Sequence, residues 1–161
     1  MTDGKTTPLK DIMRKNVFTV SRNASVAQVV STMLKEQVIG LGVLDENDKL
    51  LGIVSVDELL ENKAGPLHFL ARFSATDPFS LMEEYQKESK FNRALTAGEL
   101  VNHDFPRLTV LDTIEDAIAV FLNQKTAFIP VMEGDKMAGV VTRLDLLSAL
   151  FESQEPRANS H

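Results

Sequence analysis

The side chains best placed to do chemistry are Thr142 and Asp145, which close the run Gly139-Val140-Val141-Thr142-Arg143-Leu144-Asp145-Leu146-Leu147. Gly139 to Val141 suits a buried strand, and Thr142 suits a helix N-cap. Asp145 then falls in the first helical turn, where free backbone N–H groups and the helix dipole favour anions. A cleft at such a strand-to-helix junction can hold a ribose and its phosphate. Taken alone, the pair also reads as a helix cap and a first-turn carboxylate, worth roughly 1 kcal/mol with no ligand at all. Arg143 fits either a phosphate counter-charge or an exposed helix arginine.

A second version of the run, Gly52-Ile53-Val54-Ser55-Val56-Asp57-Glu58-Leu59-Leu60, lies 87 residues earlier. The match extends upstream at a shift of 88, which places Ile12 on Leu100, Val20 on Leu108, Ser25 on Thr113, Val26 on Ile114, Leu34 on Leu122, Leu41 on Ile129 and Val43 on Val131. The shift changes only past Glu133-Gly134-Asp135, a hairpin turn one residue shorter than its counterpart, and turns tolerate such changes. An apolar pattern that agrees over about 50 positions marks a duplicated supersecondary unit.

Each unit must position its polar pair with the same set of elements. In the first repeat, Leu9, Ile12 and Met13 suggest a short helix, and Val17 to Ser21 reads as a brief strand. Ser25 caps a helix to about Gln37 with an apolar face of Val26, Val29, Val30, Met33 and Leu34. Strands over Val38 to Leu44 and Leu50 to Ser55 flank a polar Asp45-Glu46-Asn47-Asp48 turn, and a helix covers about Val56 to Asn62. The predicted class is α/β, with Val43, Ile53, Val54, Val131, Val140 and Val141 buried. The expected organisation is a polar, flexible lead over 1–8, a first repeat over 9–62, an insertion over 63–95, a second repeat over 96–150 and a flexible tail over 151–161.

The insertion matches neither repeat and holds five of the ten aromatic residues, Phe69, Phe73, Phe79, Tyr85 and Phe91. Gly65-Pro66 and Asp77-Pro78 mark turns and Ser80 to Ala94 reads as a helix, so these rings are expected to be packed, on the core or on a partner, and not to form an exposed patch.

Composition narrows the function. The 161 residues are 43% hydrophobic and 25% charged with a net charge of -6, which fits a globular protein and disfavours nucleic acid or an anionic membrane as the main partner. No apolar run reaches the ~20 residues of a membrane helix, the first residues resemble no signal peptide, and a cytoplasmic location is expected. Without cysteine there is no disulfide, thiolate nucleophile or cysteine-bound zinc. His68 and His103 lack ligand spacing, so no metal site is expected, and the Asp45, Glu46, Asp48 cluster has too few ordered ligands for a calcium loop. No phosphate loop, GxSxG elbow, HExxH helix or Ser/His/Asp arrangement is present. Adjacent carboxylates such as Glu83 and Glu84, or Asp57 and Glu58, do not face one another on a helix, so an enzyme is not expected.

The element order of each repeat and its GIVS or GVVT ending resemble a CBS motif, and the pair resembles a Bateman module. That resemblance implies two β-α-β-β-α motifs packed about a pseudo-twofold axis, two clefts for adenine nucleotides or related adenosyl ligands, a regulatory and non-catalytic role, and frequent assembly into a homodimer. By the same resemblance, Gly139, Thr142 and Asp145 match the family's glycine, phosphate-binding hydroxyl and ribose-binding carboxylate, with Arg143 beside them. Phe128, Ile129 and Pro130 would border the adenine, with Leu108 in the same pocket. The first repeat implies a weaker site of Gly40, Leu41, Ser55, Asp57 and Glu58, since Glu58 stands where Asp is usual and Gly42 replaces the proline. The implied ligand is AMP, ADP or ATP, with S-adenosylmethionine and cyclic dinucleotides left open, and the receiver is an unidentified protein. The alternative is a ligand-free module that dimerises or docks a protein through the aromatic insertion.

Overall fold

The computed structural model describes residues 4–61 and 96–154. The expected aromatic insertion, with its helix and shielded rings, and the tail beyond residue 154 lie outside the described residues. The chain divides into two compact units, one of residues 18–104 and one that joins the residues up to Val17 to those from Phe105 onward.

In the first unit, β1 (Thr19–Ser21), β2 (Gly40–Leu44) and β3 (Leu50–Ser55) form a sheet in the order β1-β2-β3, parallel between β1 and β2 and antiparallel between β2 and β3. Helix α1 (Val26–Glu36) starts with a capping box. Ser25 Oγ accepts from the Gln28 N–H, and the Gln28 side chain accepts from the Ser25 N–H, so two donors that the first turn leaves without helical partners are satisfied. Val26, Val29 and Met33 of α1 pack with Leu41, Val43 and Val54 of the sheet. Helix α2 (Val56–Glu61) adds Leu59, and helix α3 (Ala97–Leu100) adds Ala97 and Leu100.

The second unit repeats the plan with β4 (Leu108–Thr109), α4 (Ile114–Asn123), β5 (Ile129–Glu133), β6 (Lys136–Val141) and α5 (Arg143–Gln154), its sheet ordered β4-β5-β6. Thr113 and Asp116 form its capping box. The register shift between Val43 and Leu44 recurs between Val131 and Met132. The fold is therefore the expected repeated α/β arrangement, down to one irregularity per sheet.

Several expectations are corrected in detail. Leu34 is 73% exposed and its counterpart Leu122 is 80% exposed. At about 100° per residue each sits about 80° from the first apolar residue of its helix, on the rim of the buried stripe. Val140 is half-buried, while Val141 is fully buried. Helix α5 continues past Leu150 to Gln154. Residues 4–8 are held rather than free, since Gly4–Thr6 forms a 3-10 turn, the Thr7 carbonyl accepts from the Ile114 N–H, and Pro8 pairs with Thr113.

The leading segment of each repeat packs with the body of the other. Leu9, in a 3-10 turn spanning Leu9–Asp11, is fully buried in the core that holds Ile114, Ile129, Val131 and Val141. Ala97 and Leu100 enter the core built on α1. Gly139 lets the first of these segments approach, because a Cβ there would lie 2.5 Å from Met13 Sδ and 2.8 Å from the Arg14 carbonyl oxygen. Gly52 does the same for the second segment, where a Cβ would collide with the Asn102 carbonyl oxygen.

Candidate functional site

The site candidates of the second repeat gather where β6 passes into α5. Strand β6 carries Gly139 and Val141 inward and ends at Thr142, which begins α5 in an N-cap position. The N–H and Oγ of Thr142 both donate to Asp145 Oδ2 at 2.9 Å, and the Asp145 N–H donates back to Thr142 Oγ at 3.3 Å. The helix-cap reading is thus realised, and it holds the carboxylate and the hydroxyl against each other at the helix start. Asp145 Oδ1 accepts from Arg14 Nε at 2.8 Å, an ion pair whose side chains are 12% exposed for Asp145 and 56% for Arg14. Both carboxylate oxygens therefore face donors, as a buried anion requires.

The backbone fixes Arg14 in this place. Its N–H donates to the Val140 carbonyl at 2.9 Å and its carbonyl accepts from the Val140 N–H at 3.0 Å, which extends the edge of β6. Sequence reasoning did not find Arg14, since it lies 131 residues from Asp145 and in the repeat assigned to the other half. The exchange of leading segments is what brings them together.

The other residues expected at this site fall into two groups. Arg143 lays its guanidinium 4.8 Å from the centre of the Phe121 ring and donates to the Thr126 carbonyl at 3.0 Å. It is thereby tied to the helix α4 side of its own unit. Ile129 is fully buried, with its side chain among the core residues. Strand alternation puts Phe128 and Pro130 on the opposite face from Ile129, and both are buried, Phe128 to 3% exposure. Leu108 is half-buried, packs on the same core as Ile129 and pairs with Val131.

The first repeat makes the same ring with a longer acid. Glu58 Oε2 accepts from the Ser55 N–H at 2.6 Å and also from Ser55 Oγ, so the extra methylene is absorbed by folding back onto the cap. The Asp57 N–H donates to Ser55 Oγ at 3.2 Å, and its carboxylate takes no part in that ring. Leu41 is fully buried in the core like Ile129, whereas Gly40 pairs with Ser55 at the strand end. No described residue carries a charge to Glu58 as Arg14 does to Asp145. At the position equivalent to Arg14 stands Asn102, whose Oδ1 accepts from the Asp104 N–H at 3.0 Å.

Among the described residues no group of three or more His, Cys, Asp or Glu side chains could hold a metal ion. No described helix is long and apolar enough to cross a membrane.

A family model described as "CBS domain" matches residues 9–65 and 97–152. The chloroplastic CBS domain-containing protein CBSX2 of Arabidopsis thaliana is 26% identical over 156 residues, 91% of this chain and 64% of that protein. The chain thus spans under two thirds of this relative's length. A crystal structure of CBSX2 in complex with AMP superposes with a TM-score of 0.68 at 23% identity, covering 92% of this chain and 98% of that one. The CBS domain pair of protein MJ0100, in complex with 5′-methylthioadenosine and S-adenosyl-L-methionine, superposes with a TM-score of 0.65 at 19% identity, covering 93% and 99%.

Proposed function

The chain belongs to the CBS domain family, and on that premise we propose that it is a non-catalytic regulatory module that binds an adenosine-containing ligand, AMP, ADP or ATP in the first place, at the second repeat. The observation that carries this reading is the pairing of Thr142 with Asp145 at the start of α5, a 12% exposed carboxylate beside a hydroxyl and the first-turn N–H groups. A carboxylate can accept from both hydroxyls of a ribose, and a hydroxyl with helix-start donors can take a phosphate. Phe128 and Pro130, buried on the strand face opposite Ile129, are the residues the reading places at the border of the base. Two structural relatives hold adenosyl ligands, AMP in one and 5′-methylthioadenosine with S-adenosyl-L-methionine in the other. Assembly into a homodimer belongs to the same reading, through α1 and α4, the helices that carry Val29 and Ile118, or through the insertion; Leu34 and Leu122 are exposed on those helices.

A thermal-shift screen of AMP, ADP, ATP, S-adenosylmethionine and 5′-methylthioadenosine tests the proposal. A ligand that binds only the folded state stabilises it by about 2.7 kcal/mol at a hundredfold excess over Kd. No shift with any of them at millimolar concentration overturns the reading.

A further inference from the structure

Resting on that reading, we propose that Arg14 is the specificity-determining residue of the second-repeat site and makes it selective for phosphorylated over uncharged adenosyl ligands. Asp145 Oδ2 already accepts two hydrogen bonds from Thr142, and Oδ1 accepts the Arg14 Nε–H. A carboxylate oxygen has two lone pairs, so a ribose that engages both hydroxyls has to compete with Arg14 at Oδ1. Replacing a guanidinium by a neutral hydroxyl strips a cation of its anion, and that loss opposes binding of a bare nucleoside. A ligand with a phosphate returns an anion to Arg14, whose planar fork of donors matches phosphate oxygens. A cationic sulfonium ligand makes the loss worse.

The molecule contains its own control. The Gly139–Val140 edge receives Arg14 through the same backbone pairing by which Gly52–Ile53 receives Asn102. The anchoring is shared and the charge is not, because Asn102 turns its side chain to the Asp104 N–H. Arg14 is held at the backbone by Val140 while its side chain stays 56% exposed, so the guanidinium can leave Asp145 for an incoming anion without moving the segment that carries it.

Calorimetric titration of the full chain with adenosine and with AMP tests this, using the native protein, Arg14→Gln and Arg14→Lys. The native protein should bind AMP at least about tenfold more tightly than adenosine. Arg14→Gln should close that gap by weakening AMP while adenosine binds equally well or better, and Arg14→Lys should retain part of it as a point charge. Added salt should narrow the gap in the native protein and leave Arg14→Gln unchanged. Equal weakening of both ligands by Arg14→Gln, or an AMP preference that survives it, overturns the assignment while the adenosyl site stands. A native protein that binds neither ligand overturns the assignment, and a thermal-shift panel that is silent as well overturns the site with it. Thermal unfolding of both variants separates lost binding from lost structure.

Discussion

Arg14 and Val140 exchange two backbone hydrogen bonds, 2.9 and 3.0 Å long, and so add a segment from the start of the chain to the edge of the second-repeat sheet. The contact depends on Gly139, since any Cβ there meets Met13 and the Arg14 backbone. Gly139→Ala should therefore cost about 1–3 kcal/mol of stability, the range for overfilling a packed site. Gly52→Ala should cost a similar amount against Asn102. Urea unfolding midpoints measure both, and an alanine tolerated at either site would show that the segment yields easily.

Asp145→Ala should weaken nucleotide binding by roughly 30-fold or more, the equivalent of about 2 kcal/mol for a carboxylate that makes charge-assisted hydrogen bonds. Glu58→Ala should have a smaller effect on the same ligand, because Glu58 belongs to the first repeat, where the acid is one methylene longer and Gly42 stands in place of the proline. Calorimetry on both variants gives the comparison, and the reverse order would move the main site to the first repeat.

Leu9→Ala should destabilise the protein by about 2–5 kcal/mol. The residue has no exposed surface and lies in the core with Ile114 and Ile129. A change at the edge of a flexible lead would cost almost nothing, so chemical denaturation separates the two descriptions.

The first hairpin should show acid sensitivity. Asp45 Oδ1 accepts from the N–H groups of Lys49 and Asn47 at 3.0 and 2.8 Å, and these two bonds, Lys49 first, hold its carboxyl below the usual 3.8. A depressed value means that the folded turn prefers the ionised form, so its contribution is present above about pH 4 and is lost as the pH falls through the lowered value. In an NMR titration the Asn47 and Lys49 amide shifts should move together below pH 4, and Asp45→Asn should remove the step.

Much of this architecture was legible in the sequence, for reasons that are local. Ser25 and Thr113 stand three residues before Gln28 and Asp116, and both capping boxes form. The apolar period fixed which faces of α1 and α4 turn inward, with error only at the rim residues Leu34 and Leu122. The Thr142–Asp145 pairing was readable because a cap and its partner are three residues apart. Partners brought together by the fold were not readable. Leu9, Ile12 and Met13 differ little in character from Ala97, Leu100 and Val101, so nothing in a repeated pattern says which body each segment serves. Arg14 was overlooked for that reason, and so was the packing role of Gly139 against Met13 and Arg14. Ile129 shows in the sequence as an apolar strand residue, and only the fold shows which of two apolar faces it joins.

The exchanged segments also determine what a broken chain would do. A single cut between residues 62 and 95 would yield two fragments, each carrying the wedge that completes the other's core, Leu9 with the first repeat and Leu100 with the second. The pieces would stay associated in native buffer and part only when unfolded. The two halves can therefore serve as a complementing pair, in which neither polypeptide is whole without the other.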